Sequence, residues 1–393
     1  MLNLLIFCPN ALENGRGGEL SSIELASGLQ KYFQVTFFDT NIITGQKLLS
    51  KEAIEKKMEG VKKRFRIKFA TINILNRTFT FPYPWEVIKL FKTIKRMNII
   101  YSSLSSFKFD LIFILFSLLN RRARYIIGYR KPLHTEKFFS FYNIKYRISI
   151  LFYSLFKKKF YHHTISQHAK RFLHNFYDPK KVNHIIHGIN LDDYIDNGKE
   201  KKREDLISFI YVGHLDDIHK GVGILLNGIK KFLEENKNLK IFFEFCGKGP
   251  LESNIKELEK RFPRYIRYNG YLNSNDLIDA YKRNDIFLFS SRREPFGRVI
   301  IEALAANLVI LCSKTIGSIE ILKGRDFAFF LPELSPQAIC EKILELYNLW
   351  KENPKKIKEL QNNAKQFALQ NYTVSKEIEK FYELIKKINN NKI

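Results

Sequence analysis

Apolar residues in this chain come in short blocks separated by polar, glycine-bearing turns. Leu2–Phe7 is a nearly unbroken apolar run, followed by Asn14-Gly-Arg-Gly-Gly-Glu19 and by helical spacing at Leu20, Ile23, Leu25, Leu29 and Tyr32. The run Val35–Phe38 closes a strand–turn–helix–strand unit, which requires a parallel sheet and a right-handed crossover. Further runs at Ile99–Tyr101, Leu111–Leu115, Tyr125–Tyr129 and Thr164–Ser166 predict more strands, interleaved with helical stretches. A polar, turn-rich segment from Gly188 to Asp205 reads as a linker. A second alternation follows, with strands expected at Ile207–Val212, Ile241–Cys246, Ile266–Tyr268, Ile286–Ser290 and Val309–Cys312. These runs are continuous, as strands covered on both faces should be. Val374–Lys387 predicts an amphipathic helix long enough to cross a domain boundary. The pattern gives an α/β protein of two doubly wound domains facing each other across a cleft. Expected boundaries are an N-terminal domain at 1–187, a linker at 188–204, a C-terminal domain at 205–373 and a returning helix at 374–393.

Composition narrows the class. Of 393 residues, 45% are apolar and 27% charged, which excludes a disordered or fibrous chain. Cys8, Cys246, Cys312 and Cys340 are far apart, so neither a zinc ribbon nor a disulfide scaffold fits, and a reducing compartment is expected. The longest apolar runs, Leu111–Leu119 and Ile148–Phe156, fall well short of the ~20 residues of a spanning helix. The first residues lack a basic leader and cleavage site. A cytoplasmic protein is expected. The net charge is +26 and is uneven: residues 1–200 hold 33 Lys+Arg and 15 Asp+Glu (+18), leaving 33 and 25 (+8) for the rest. A basic first half suits a polyanionic partner such as nucleic acid, an anionic membrane or a phosphorylated substrate. It is equally compatible with compositional drift, since Lys, Asn and Ile are abundant throughout.

Three strand ends in the second half carry candidate chemistry. Ser290-Ser-Arg-Arg-Glu-Pro-Phe-Gly-Arg-Val-Ile-Ile-Glu302 runs from a strand end into a helix expected to start near Phe296. Amide N–H groups at such a start, with the helix dipole, hold an anion. Glu294 and Glu302 flank that start, placed to accept hydrogen bonds from hydroxyls on either side of a pyrophosphate. Arg298 in the first turn opposes the dipole unless an anion is present. In Tyr211-Val-Gly-His-Leu-Asp-Asp-Ile-His-Lys-Gly221, Gly213 permits a tight turn and His214 and His219 are polar neighbours. Lys220 stands at the start of a helix expected over Val222–Leu233, where it suits a phosphate. Gly247 and Gly249 follow the strand Ile241–Cys246 and allow close approach to the backbone, as ligand sites outside strand carboxyl ends need. In the first half, Gly15, Gly17 and Gly18 follow strand one in a pattern that is not the dinucleotide Gly-x-Gly-x-x-Gly. His134, with Arg130 and Lys131, follows the strand Tyr125–Tyr129.

These residues resemble the retaining glycosyltransferases of the GT-B fold, family 4 (glycosyl transferases group 1). The resemblance covers essentially the whole chain and is strongest from about 205 to 372. It rests on Glu294-x7-Glu302, Val-Gly-His-Leu with Lys220-Gly221, Gly247-Lys-Gly-Pro250, Ile316-Gly-Ser-Ile-Glu320, Ile165-Ser-Gln-His-Ala-Lys-Arg and His187-Gly-Ile-Asn190. It implies two Rossmann-like domains and transfer of a hexose, with retention, from a nucleotide sugar to a glycan or lipid-linked glycan. A UDP-sugar is favoured and a GDP-sugar next, the leaving phosphate itself taking the acceptor proton. By the same resemblance Glu302 holds ribose hydroxyls, Glu294 faces donor-sugar hydroxyls, and the Phe296, Gly297 and Arg298 amides take phosphate. Lys220 neutralises the leaving pyrophosphate, Gly17 and Gly18 approach it, Tyr271 and Leu272 meet the base, and His134 matches the N-domain active-site histidine. The family usually has Arg at His214; a neutral imidazole supplies less charge, and Arg298 is the candidate to restore it.

No cofactor is implied, and Asp192-Asp193 and Asp216-Asp217 lack the setting of an Asp-x-Asp metal site, so a metal-independent reaction is expected. Alternatives are a sugar-nucleotide epimerase or phosphorylase on the same fold, a silent nucleotide-sugar binder, and a nucleic-acid-binding protein. The last would need basic–aromatic stripes; Phe65–Phe69 and Lys157–Tyr161 come closest, with no recognition module. The basic first half suits an acceptor at an anionic membrane, so a peripheral position on the membrane is a further expectation, with Lys56–Lys68 and Arg121–Arg124 as candidate contacts. The aromatic stretch Phe138–Phe160 reads as a core helix.

Overall fold

The computed structural model describes residues 1–8, 17–40, 61–74, 77–103, 107–129, 144–155, 159–191, 194 and 205–390. It divides into two compact units, Met1–Gly188 with Val374–Ile393, and Ile189–Thr373. Of the linker expected at 188–204, only 188–191 and 194 are among the described residues.

The first unit runs β1 (Asn3–Phe7), α1 (Gly17–Leu29), β2 (Gln34–Thr40), β3 (Arg64–Ile67), β4 (Phe69–Ile74), β5 (Arg77–Pro82), α2 (Pro84–Lys95), β6 (Ile99–Ser102), α3 (Phe107–Leu119), β7 (Arg124–Tyr129), α4 (Ile144–Leu155), β8 (Phe160–Thr164), α5 (Gln167–Leu173) and β9 (Val182–His184). Seven strands form a parallel sheet in the order β3-β2-β1-β6-β7-β8-β9. β4 and β5 pair antiparallel as a separate hairpin, which the apolar pattern did not predict. On one face lie α2, α3 and α4, burying Leu90, Ile94, Phe113, Phe116, Ile150 and Tyr153. On the other, α1 buries Ile23, Ala26 and Leu29.

Three expectations need correction. Leu111–Leu115 lies inside α3 rather than in a strand. A short apolar run fits a buried strand and a helix equally well, and here the helix is apolar over most of its surface. The strand expected at Thr164–Ser166 occupies Phe160–Thr164 instead, and Ser166 caps α5, its Oγ accepting from the Ala169 N–H at 3.1 Å. The helix read over Phe138–Phe160 spans Ile144–Leu155; residues 138–143 and 156–158 lie outside the described residues. Its inner side is core, as expected, but Leu151 and Leu155 face outward.

The second unit runs β10 (Ile207–Val212), α6 (Val222–Glu235), β11 (Ile241–Cys246), α7 (Glu252–Arg261), β12 (Ile266–Gly270), α8 (Ser274–Lys282), β13 (Ile286–Phe289), α9 (Arg298–Ala305), β14 (Val309–Cys312), α10 (Ile316–Leu322), β15 (Ala328–Phe330), α11 (Pro336–Glu352) and α12 (Pro354–Asn371). Its sheet is parallel in the order β12-β11-β10-β13-β14-β15, with Tyr211 beside Leu288 across the central pair. Both sheets have the strand order of a doubly wound fold, whose ligand crevice lies where the order reverses. The last helix, α13 (Val374–Asn390), belongs to the first unit, where Phe381, Leu384, Ile385 and Ile388 join the α1 side of the core. Among the described residues no helix is long and apolar enough to cross a membrane.

Candidate functional site

The strand order of the second unit reverses between β10 and β13, so the loops leaving those two strands meet. Gly221 ends the first loop in the left-handed region (φ 61°), and a Cβ there would stand 2.4 Å from the Ser290 carbonyl oxygen. Only glycine allows that approach without strain. Ser290 Oγ donates to the Lys220 carbonyl at 2.8 Å, and the Arg292 N–H to that of His219 at 2.8 Å. Asp216 Oδ1 accepts from the His219 and Lys220 N–H groups at 2.6 and 3.4 Å. Burial works to raise the Asp216 carboxyl, but those two donors, with His219 and His214 nearby, outweigh it and hold the pKa below the ordinary carboxylate value.

The loops so joined bring Lys220 Nζ to 2.7 Å from Glu294 Oε2. Glu294 Oε1 lies 3.2 Å from the Gly297 N–H and 3.5 Å from that of Phe296, at the start of α9. One carboxylate thus lies between the lysine and the amide groups at a helix start, a setting built to hold negative charge. The Glu294 carbonyl accepts from the Gly317 N–H at 2.9 Å. A Cβ on Gly317 would come within 2.4 Å of the Phe296 carbonyl oxygen, so this glycine lets α10 close against the loop.

Glu302, farther along α9, receives Arg298 Nε at 3.0 Å and the Tyr281 hydroxyl at 3.4 Å. Burial, reinforced by the Glu302 charge, pushes the Tyr281 hydroxyl well above its ordinary pKa, so it stays a donor. The other predicted positions of this unit lie on the loops that follow β10, β11 and β12. Gly213 N–H donates to Cys246 O at 3.1 Å and Gly247 N–H to Gly270 O at 2.7 Å, tying the ends of β10, β11 and β12 together. Gly249 N–H meets Glu252 Oε1 at 3.1 Å. Tyr271, 44% exposed, and Leu272 follow β12, and His214 is exposed on the β10 loop.

The structure therefore brings Lys220, Glu294, Phe296 and Gly297 together, and Arg298 with Glu302. Gly17 and Gly18 open α1 in the first unit. His134, Arg130 and Lys131 lie outside the described residues, as do Asp192 and Asp193. Tyr281 was not singled out from the sequence, and Asp216 was considered there only as part of a pair lacking the setting of a metal site. Asp216 had a readable signal, an Asp three and four residues before the amides it caps; Tyr281 had none. Asp217 Oδ1 accepts from the Gly223 N–H at 3.0 Å and Oδ2 pairs with Arg292 at 3.3 Å. Among the described residues no group of three His, Cys, Asp or Glu side chains is placed to hold a metal ion.

Residues 192–367 match the family model of Glycosyl transferases group 1. The matched residues lie within the second unit, Ile189–Thr373. Over 219 residues the chain is 26% identical to an uncharacterized glycosyltransferase of Methanocaldococcus jannaschii, covering 52% of this chain and 54% of that protein. Over 170 residues it is 28% identical to the capsular polysaccharide biosynthesis glycosyltransferase CapM of Staphylococcus aureus, covering 41% and 43%. The chain thus spans about half the length of these curated relatives. The crystal structure of Anabaena HepE in complex with UDP and glucose superposes with a TM-score of 0.74 at 16% identity, over 98% of this chain and 100% of that one. The fold is that of the GT-B glycosyltransferases.

Proposed function

We propose that this protein is a retaining, metal-independent glycosyltransferase that moves a hexose from a nucleotide sugar to a glycan or lipid-linked glycan. A UDP-sugar is the favoured donor and a GDP-sugar the next. The observation that carries the reading is the convergence, at the reversal point of the sheet, of Lys220, Glu294 and the amides starting α9. HepE, which shares the fold, is described with UDP and glucose bound, and CapM is named for capsular polysaccharide synthesis.

In this reading the donor's pyrophosphate lies against the Phe296, Gly297 and Arg298 amides and Lys220, while Glu294 turns its carboxylate to the sugar hydroxyls. Glu302 takes the ribose hydroxyls, Tyr271 and Leu272 border the base, and Gly213, Gly247 and Gly249 keep the floor open. Gly17, Gly18 and His134 are kept as the first unit's candidate residues on the family resemblance alone. The acceptor hydroxyl attacks on the face the nucleotide leaves, and the departing phosphate oxygen takes its proton. Fixed donors aimed at charge that grows on the leaving phosphate supply the main rate enhancement. The Asp216 and Asp217 oxygens are engaged by loop amides and Arg292, which supports a reaction without a metal.

Thermal unfolding of wild type and Glu302→Ala with UDP, GDP, ADP and their sugar conjugates tests the donor site. A ligand at ~100 times its Kd stabilises by about 2.7 kcal/mol. Stabilisation by the uridine series, lost in Glu302→Ala, is expected; no stabilisation by any nucleotide in wild type would overturn the reading. The anomeric configuration of the product, by NMR, tests retention.

A further inference from the structure

The outer surface of α2, α3 and α4 differs from that of a water-facing helix such as α12. On α12 the exposed positions after the N-terminal Pro354, which are Lys355, Lys358, Glu359, Asn362, Asn363, Gln366, Gln370 and Asn371, are all polar, as water-facing helix surfaces are. On α3 the exposed described positions are Leu115, Leu118 and Leu119, and on α4 they are Leu151, at 60% exposure, and Leu155, at 69%. Ile88, on the exposed side of α2, continues the set at 57%. The three helices pack side by side over one face of the sheet, so these side chains share one outer surface.

Cations border that surface. Lys89, Lys92, Lys95 and Arg96 are exposed on and just after α2, and Arg121 and Arg122 directly follow α3. The two helix ends are tied together, because the Asn120 side-chain amide donates to the Ile94 and Met97 carbonyls at 2.7 and 3.0 Å. Lys159 joins the same end by donating to the Ser117 carbonyl at 3.2 Å. Burial, and after it the charges of Arg121 and Arg124, lower its pKa. From Trp85 to Arg96 the one acid is Glu86, which is buried and paired with Lys89 at 3.4 Å.

We propose that this face is a docking surface for an anionic lipid bilayer, with the leucines of α3 and α4 entering the acyl boundary and the Lys and Arg side chains meeting lipid phosphates. Exposed leucines on two neighbouring helices call for a hydrocarbon phase, which a nucleic-acid backbone does not offer. A second copy of the chain, related by a two-fold axis, would set these cations against themselves. An anionic membrane satisfies both halves of the surface. The contacts differ from those expected from the sequence. Of Lys56–Lys68, positions 56–60 lie outside the described residues; Arg121 and Arg122 are retained, and the apolar part comes from helices read as core. The proposal does not rest on the transferase reading.

Co-sedimentation of the full chain with vesicles of equimolar phosphatidylglycerol and phosphatidylcholine, against phosphatidylcholine alone, tests it. Binding to the anionic vesicles is expected. It should weaken at least about tenfold in Leu115→Ser/Leu118→Ser/Leu151→Ser and in Lys92→Glu/Arg122→Glu. It should also fall as salt rises from ~0.1 M to ~1 M, as the screening length shrinks from about 10 to about 3 Å. Unchanged thermal unfolding of both variants shows that folding is not at issue; should the leucine variant misfold, the charge variant decides. No binding to anionic vesicles, or equal binding by wild type and variants, overturns the proposal. So does a wild-type dimer in sedimentation equilibrium that the leucine variant dissociates, since the face would then belong to a second copy.

Discussion

Lys220 and Arg298 each lie within 3.0 Å of a site carboxylate, yet their surroundings give them different duties. Lys220 stands on the loop that shares Glu294 with the amides of the α9 start, where a leaving phosphate would gather charge. Arg298 lies back along its own helix onto Glu302, the proposed ribose ligand, and not toward that start. Lys220→Ala is therefore expected to lower kcat by about 10²–10³ with little change in donor KM. Arg298→Leu is expected to raise donor KM several-fold with kcat near wild type, because it disturbs Glu302 without touching the reacting phosphate. Steady-state kinetics of the two variants decide: an equal fall in kcat for both would show that Arg298 serves the pyrophosphate in place of the arginine missing at His214. Glu294 and Glu302 were legible in the sequence because their signal is local, a fixed spacing across one strand-to-helix loop, and Lys220 because it stands at the end of another such loop. Tyr281, arriving from another helix, and the Arg298–Glu302 pair are consequences of packing and rotamer choice that spacing does not carry.

At the scale of elements, β8 holds an acid-sensitive position inside the first unit. His162 is buried against Tyr177 and Tyr129, its Nδ1 lying 3.2 Å from the Tyr129 hydroxyl. Burial, then the charge of Lys181, lowers its pKa from 6.5 to about 3. The unfolded chain takes up this proton near pH 6.5, whereas the folded chain resists it until about pH 3. Stability therefore falls as pH drops through that window, by at most about 1.4 kcal/mol per pH unit from this one group. Urea unfolding of wild type and His162→Gln at neutral and mildly acidic pH checks it: the variant should lose less stability on acidification, and an equal loss would place the sensitivity elsewhere. The same strand shows what limits a reading of apolar runs. Ile207–Val212 and Ile241–Cys246 appear as expected because both faces are covered and only apolar residues fit. Phe160–Thr164 was missed because its two central residues are histidines made compatible with burial by specific partners, His163 by Tyr101 and the Ile185 carbonyl. α3 was misread for the converse reason: leucines on its outer side erased the polar stripe that marks a surface helix.

At the scale of the whole molecule, the first unit is discontinuous in sequence, and its stability depends on the end of the chain. α13 places Phe381, Leu384, Ile385 and Ile388 in the core against α1, each at most 5% exposed. It also places the Glu377 carboxylate 2.8 Å from the Gly188 N–H and 3.1 Å from His187 Nδ1, with Ser21 Oγ 2.9 Å from the same ring nitrogen. Burying four such side chains stabilises by roughly 1.5–3 kcal/mol each, so about 6–12 kcal/mol together. That sum is comparable to the ~5–15 kcal/mol of a typical domain. The second unit has its own sheet and core and includes none of these residues. Truncation after Thr373 should therefore unfold the first unit and leave the second folded. Limited proteolysis of the truncated chain checks this: fragments from residues 205–373 should survive while those from 1–188 are degraded. Survival of both units would mean that the α1 side of the first core stands without its last helix, and equal loss of both would mean that the second unit depends on the first.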